Sequence, residues 1–427
     1  MFPTRELSRN AATGRMPCDQ ETGMISPRAP LPLTHLHLPQ VRDFAVLAGL
    51  EAGVRGMLMS VMPLVIYRAY PDASLVSWIY LAVGIVSLLF GLMVPSLAAR
   101  LSRRWMYTAG TVFYLLGVAL ALTQIPILSA LALGVLSLGT VTCAVCLNAY
   151  VLDYVARTNL ARSESMRLLF SGPSWVVGPI TGVWLLNWWA PAPFIVAGLF
   201  ALVQMAMFWR LRMGNGKQIT RARSQAPQPL AYLGRFVHQP RLVAGWLFAV
   251  IRSCGWWVYV VYLPIFCVEN GLGNAVGAAA LSASNMTLFA APLLMVVVRR
   301  VGVRNAVSGA FALGGAFFIG GWMLTASPWM VVASLYLASV LLIMLDVCGS
   351  LPFLMAVKPS ERTEMSAVYS SYRDASGIVT PAVAGLVLLS MPIAGLFAVC
   401  GGGMLWAAWL ARGLHPRLGE ARPRFSA

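Results

Sequence analysis

An all-α membrane protein of twelve transmembrane helices, arranged as two pseudosymmetric six-helix bundles with both termini cytoplasmic, is the fold class this sequence predicts, on three observations. The first is composition: 59% of the 427 residues are apolar and only 11% charged, with a mean hydropathy of +0.75. A water-exposed surface on a chain of this length needs about a quarter of its residues charged, whereas a lipid-facing surface needs almost none. The second is division of the chain into apolar runs of about 20 residues, the length at which a helix crosses a bilayer. The third is the placement of arginine and lysine, which alternates from one connection to the next.

Twelve runs follow one another at approximately residues 44–67, 75–97, 105–123, 127–150, 167–189, 193–212, 242–266, 274–298, 305–326, 328–356, 366–390 and 392–411. Several are separated by turn or helix-stop chemistry: Tyr70-Pro71-Asp72, Ala190-Pro191-Ala192-Pro193, Asn270-Gly271-Leu272-Gly273 and Met391-Pro392. One long polar connection, 213–241, divides an N-terminal bundle (42–212) from a C-terminal bundle (242–412). Residues 1–41 read as a disordered cytoplasmic tail, rich in Pro and Arg and without a signal-peptide core, and Met16 and Met24 are alternative start sites. Residues 413–427 read as a second cytoplasmic tail.

Cytoplasmic loops of membrane proteins carry the excess of positive charge. All but four of the 31 basic residues fall in the termini or in every second connection: Arg100, Arg103 and Arg104; Arg157, Arg162 and Arg167; the central linker; Arg299, Arg300 and Arg304; Lys358 and Arg362. The alternate connections hold Arg68 alone. An even number of spans keeps this alternation in phase from end to end. Topology therefore accounts for the net charge of +17, and no nucleic-acid partner is expected. The 29 arginines against two lysines point to a bacterium with a GC-rich genome, and so to its inner membrane.

Cofactor chemistry finds no foothold. There is no Gly-rich phosphate loop and no zinc, haem or hydrolase pattern, so enzymatic and ATP-driven readings lose support, and no cofactor or metal is expected. Cys143 and Cys146 have CxxC spacing but lie within an apolar run, where small packing residues are the ordinary reading. His35 and His37 fall in the tail, His238 and His415 in basic segments, so none is placed for an intramembrane proton relay.

Internal similarity points to duplication. LEAGVRGMLMS aligns with LFAVIRSCGWW, matching Arg55 with Arg252. RSESMRLLFSGPSWVVGPITG aligns with RTEMSAVYSSYRDASGIVTPAVAG, matching Arg162 with Arg362, Glu164 with Glu364, Pro179 with Pro381 and Gly182 with Gly385. AARLSRRW corresponds to VVRRVGVRN. A repeated unit of this size is common among transporters.

Over residues 42–412 the chain resembles the major facilitator superfamily. Between the second and third helices that family carries Gly-x-Leu-Ala-Asp-Arg-x-Gly-Arg-Lys; here PSLAARLSRRW keeps Leu97, Ala98, Arg100, Arg103 and a basic Arg104, and departs at Pro95, Ala99 and Ser102. The resemblance implies a gating loop at Arg100, Arg103 and Arg104, although the aspartate of its usual charge relay is absent. Gly178-Pro179-Ile-Thr-Gly182 is similar to part of a fifth-helix signature of proton-coupled exporters, with Val183 in place of the last glycine. The fourth helix lacks the intramembrane arginine of those exporters.

Six intramembrane charges remain: Glu51, Arg55, Arg252, Asp346, Arg373 and Asp374. Each costs roughly 2.5 to 3.5 kcal/mol on insertion scales unless it faces protein or water. At 1.5 Å rise per residue, Arg252 lies about 15 Å along its helix, Asp346 about 15 Å from its cytoplasmic end and Arg373 about 10 Å in. The resemblance places their helices around a central cavity. Glu51 and Arg55 share a helical face and can pair directly. Arg373 and Asp374 point about 100° apart, so each must find another partner. The expected arrangement pairs Arg252 or Arg373 with Asp346 in one access state, and in the other that arginine is released or binds substrate; a permanent ion-pair lattice is the alternative. Arg162, Glu164, Arg362 and Glu364 sit at cytoplasmic helix mouths as gates or topology anchors.

A carboxylate in a partly dry cavity can load a proton unless a fixed arginine holds it charged. Asp346 has no basic neighbour in its own helix and is the first-choice proton carrier, followed by Glu51 and then Asp374. A substrate wall is expected from Trp256, Trp257, Tyr259 and Tyr262 with Asn285, Tyr369 and Tyr372, while Trp188 and Trp189 read as interfacial anchors. The resemblance thus implies a secondary transporter of a small molecule, expected as a monomer in the lipid bilayer, rocking about a midplane site and exporting a partly apolar solute against protons. Proton-coupled uptake of an anionic metabolite and a non-transport receptor or scaffold on the same fold remain open.

Overall fold

Hydrocarbon offers no hydrogen bonds, so a chain that crosses it must satisfy its backbone within each segment, and helices do so. The structure, a computed structural model, describes residues 41–155, 160–211, 229–357 and 362–413, all within one compact unit. Residues 1–40 and 414–427 of the expected tails, including His35, His37 and His415, together with residues 213–228 of the linker, Arg157 and Lys358 and the side chains of Arg162, Arg362 and Glu364, lie outside the described residues.

The first six helices are each continuous: α1 (Val41–Ala69), α2 (Ala73–Leu101), α3 (Arg103–Leu122), α4 (Pro126–Tyr154), α5 (Leu160–Trp188) and α6 (Ala192–Arg210). Asp72 caps α2 by accepting from the Ser74 amide at 2.8 Å. The tightest packing is α1 on α5. There the glycines of the Gly178-Pro179-Ile-Thr-Gly182 stretch lie against the α1 backbone: a Cβ at Gly178 would meet the backbone of Gly56, and one at Gly182 the Met57 carbonyl oxygen. Small residues allow this approach, a common device where helices cannot gain from expelling water.

The second set is interrupted. After α7 (Pro229–Val237), the seventh span runs as α8 (Pro240–Trp257), a π turn (Val258–Tyr262) and α9 (Leu263–Glu269). The eighth is α10 (Asn274–Thr287), a 3₁₀ turn (Leu288–Ala290) and α11 (Ala291–Val301). The ninth is continuous, α12 (Val303–Met323); the tenth is α13 (Pro328–Cys348) and α14 (Leu351–Ala356). The eleventh is α15 (Arg362–Tyr369) and α16 (Tyr372–Val387), and α17 (Ile393–Ala411) closes the series. Pro264, Pro292 and Pro352 stand just beyond three of the breaks, where a missing amide and a ring clash disrupt the regular ladder.

Eleven helical spans among the described residues are long and apolar enough to cross a membrane, against the twelve expected. The difference lies at 366–390, expected as one helix. Ser370 and Ser371 divide it, the Ser371 hydroxyl donating to the Val368 carbonyl at 2.7 Å and accepting from Trp246 Nε1 at 3.2 Å. Serine that bonds locally to backbone competes with the helical ladder, which explains the break. The linker also holds structure: Phe236 of α7 joins Leu242, Phe353, Val357, Met365 and Val368 in an apolar cluster separate from the main core.

Two turns at positions matched in the sequence share one backbone conformation. Ser102 between α2 and α3 has φ 68° and ψ 147°, and Gly302 between α11 and α12 has φ 86° and ψ 148°. Glycine adopts this region freely, whereas a side chain is strained there by about 1–3 kcal/mol. Ser102 stands where the family pattern has glycine. Ser102→Gly is therefore expected to stabilise the protein by about 1 kcal/mol, read as a higher melting temperature in detergent, and Gly302→Ser to lower it; an unchanged midpoint in both would refute the strain. Gly182→Leu is expected to cost about 1–3 kcal/mol or more and to abolish a monodisperse size-exclusion peak, whereas Gly403→Leu, where a Cβ meets nothing within 4 Å, should preserve it.

Candidate functional site

The two helix sets meet along α2 and α16, along α5 and α10, and where α1 faces the seventh span. Among the described residues, six hydrogen bonds cross between them. Tyr67 donates to Glu269 at 2.8 Å, Asn274 to Asn187 at 2.7 Å and the Ser74 hydroxyl to the Gly385 carbonyl at 3.2 Å; Ser77 and Tyr262 share a bond of 2.7 Å. Nearer mid-helix, the Ile180 amide donates to Ser282 at 3.2 Å and Asn285 Nδ2 to the Trp175 carbonyl at 2.8 Å. These bonds run from the helix middles toward the end that carries the α1–α2, α5–α6 and α9–α10 turns.

Beside them lies a cavity of about 500 Å³, walled by both sets. From the first come Arg55, Tyr80, Tyr114, Ser137, Thr140 and Trp175; from the second Ser253, Trp256, Trp257, Asn285 and Asp346; Met59, Met62, Leu133, Leu136 and Val260 also line it. The size suits a small organic solute, and a mostly apolar wall with a few polar groups is the usual construction of such a site.

Asp346, on α13 just before its break, forms an ion pair with Arg252 of α8, Oδ1 to Nε at 3.0 Å, and its Oδ2 accepts from Trp256 Nε1 at 2.9 Å. The ion pair is close but not aligned as a hydrogen bond, and Arg252 Nη1 reaches the Leu345 carbonyl at 3.4 Å. The side chain of Arg252 is 8% exposed and that of Asp346 34%, so the carboxylate faces the cavity and the guanidinium lies behind it. Arg252 also packs over the Tyr372 ring at 5.2 Å. On α1, Glu51 and Arg55 pair at 3.6 Å as their spacing suggests, with Glu51 buried and Arg55 exposed to the cavity over the Trp175 ring at 5.1 Å.

The arginine and aspartate of the eleventh span are not buried. Arg373 and Asp374 are both exposed, because the break at Ser370 and Ser371 leaves them in the first turn of α16 rather than mid-helix. There the carboxylate meets the positive end of the helix dipole, and Arg373 donates to the Tyr372 hydroxyl at 3.1 Å. Of the expected wall, Trp256, Trp257 and Asn285 line the cavity. Tyr259 does not: it is fully buried and bonded to Ser284 at 2.7 Å, which in turn bonds Ser339 of α13 at 2.6 Å. Tyr369 stacks on Phe353 at 4.0 Å in the separate cluster, and Tyr372 packs against Tyr369 at 5.4 Å. Arg100 and Arg104 flank the Ser102 turn with Arg103, and Arg104 lies over Trp105 at 5.9 Å. Sequence reading overlooked the first-set wall, Tyr80, Tyr114, Ser137, Thr140 and Trp175. The duplication was the available signal, since a wall sought on helices of one repeat has counterparts on the other.

The sequence pattern described as Major Facilitator Superfamily matches residues 44–381. Among solved structures, the chain is similar to a point mutant of the nucleoside transporter NupG, with a TM-score of 0.68 and 12% identity, covering 87% of this chain and 99% of that one. It is also similar to a D-xylose–proton symporter, with a TM-score of 0.67 and 13% identity over 89% and 98% of the two chains. A bacterial homologue of the iron transporter ferroportin, in an inward-facing state, gives 0.64 and 15% over 87% and 97%. No curated protein sequence matches at a significant level. At these identities the likeness establishes the fold, and the family pattern spanning most of the chain establishes kinship: the protein belongs to the Major Facilitator Superfamily, as a multi-pass membrane protein with a transporter fold.

Proposed function

We propose that the protein is a proton-coupled secondary transporter that exports a small, partly apolar molecule by rocking its two helix sets about the central cavity. The observation that carries this reading is Asp346, a carboxylate facing a solute-sized cavity between the sets with its arginine behind it. Protonating Asp346 would leave Arg252 buried without a counter-charge, so proton uptake and release of the pair become one event. That event lies at the joint between α13 and α14, where the helix is already divided. With both termini cytoplasmic, the bonded end faces outward and the conformation is inward-facing. The whole path lies in one chain, which suits a monomer in the bacterial inner membrane. A second reading, proton-coupled uptake of an anionic metabolite, draws on Arg55 at the cavity wall.

Asp346→Asn is expected to abolish compound-induced proton release from energised inside-out vesicles that the wild type supports, tested with drugs, organic acids and sugars. The double variant Arg252→Gln/Asp346→Asn removes the pair whole and controls for a buried unpaired arginine; undiminished proton release in both would sink the coupling role. Tyr67→Phe with Asn187→Ala removes two bonds of the closed end, worth about 0.5–1.5 kcal/mol each. Spin-label distances across that end should show a larger open population, and an unchanged distribution would argue against this seal.

A further inference from the structure

The two helix sets present opposite charges to the cavity through pairs built in opposite senses. On α1 the guanidinium of Arg55 is outermost, 42% exposed, and the carboxylate of Glu51 lies behind at 8%. On the seventh and tenth spans the order is reversed, with the carboxylate of Asp346 outermost at 34% and the guanidinium of Arg252 behind at 8%. Arg55 and Arg252 occupy matching places in the duplicated sequence, yet one faces the cavity and the other is buried. Each exposed charge is flanked by an indole: Arg55 lies over Trp175, and Trp256 donates to Asp346. Both charges and both indoles line the same cavity.

We infer that the solute is zwitterionic: a small molecule with an apolar or aromatic body, an anionic group received by Arg55 and a cationic group received by Asp346. The four charges of the two pairs sum to zero, so the cavity has no net preference for an anion or a cation. It has instead a direction, positive at α1 and negative at α13. A singly charged solute gains one favourable contact but brings its charge near an exposed group of like sign, and in a largely apolar wall that repulsion is poorly screened. A zwitterion satisfies both ends. The Met and Leu side chains of the cavity wall take up the body, and the indoles offer flat faces to it. The inference rests on the reading of this cavity as the transport site, but not on the direction of transport or on proton coupling.

The test uses the full-length protein in nanodiscs and sets of compounds that share one body and differ in charge. One set is L-phenylalanine, phenethylamine and 3-phenylpropionate; a second is L-tryptophan, tryptamine and indole-3-propionate. A third places the charges across a ring: 4-(aminomethyl)phenylacetate, 4-methylbenzylamine and 4-methylphenylacetate. In at least one set the zwitterion should bind about tenfold or more tighter than either singly charged relative, the scale of one charge-assisted contact. Glu51→Gln/Arg55→Gln should erase the advantage over the amine while leaving that over the acid, and Arg252→Gln/Asp346→Asn should do the reverse. Each double variant removes a pair whole, so neither strands a buried charge. If an amine or an acid binds as tightly as its zwitterion in every set, or if no compound binds, the inference is overturned. Proton release from energised vesicles on adding uncharged or singly charged compounds would in that case uphold transport while dipolar recognition fell. If the zwitterion preference survives both double variants, it arises elsewhere and the assignment to these residues fails.

Discussion

A charge inside a membrane must carry its partner with it, and most of this site's design follows from where the partners sit. Glu51 and Arg55 pair within one helix, and Arg252 and Asp346 pair between two helices of the same set. Neither pair spans the interface between the sets. Were a desolvated ion pair shared across that interface, separating the sets would expose two uncompensated charges, at a cost of several kcal/mol. With each pair internal to its set, the sets can part without that cost. Five of the six bonds described between them are between neutral groups, of the kind worth about 1 kcal/mol each. Tyr67 to Glu269 is the exception, and it lies at an exposed end where water can replace it.

The helices are built differently in the two sets. The first six are single helices even where proline lies inside them, as at Pro63, Pro95, Pro173 and Pro179. In the second, the seventh, eighth, tenth and eleventh spans are all divided, and two of these, the seventh and the tenth, carry the charges that face or back the cavity. Divided helices recur where membrane proteins bind solutes and ions, because a break frees backbone groups and terminal dipoles beside the site. Arg252 lies beside such a break: its guanidinium reaches the Leu345 carbonyl, which also accepts from the Gly349 amide at 2.6 Å just past the end of α13. The continuous set thus supplies one wall, with α1 seated on the glycines of α5, and the divided set the wall that carries Asp346.

The fifth-helix stretch with Gly178 and Gly182 takes on a physical meaning in this frame. Its glycines let α5 lie on α1 at backbone distance, which holds Trp175 beneath Arg55 and so sets the direction in which that charge points. The short sequence pattern and the exposed cation are two views of one packing arrangement.

Composition and charge placement were enough to establish a multi-pass helical membrane protein, because apolar length and loop charge are local properties that lipid reads directly. The pairing of Glu51 with Arg55 was legible for the same reason, four residues on one helix being a local geometry. So was the duplicated turn, visible as AARLSRRW against VVRRVGVRN before Ser102 and Gly302 proved to share a backbone conformation. Other features depended on contacts between segments remote in sequence. That Tyr259 is core and not wall turns on Ser284 and Ser339 meeting it. That Arg373 and Asp374 are exposed turns on a break at two serines, one of them bonded by Trp246, 125 residues away. The sense of each ion pair was likewise a tertiary matter, since sequence can place an arginine near a carboxylate but only the packing around them determines which of the two is left facing the cavity.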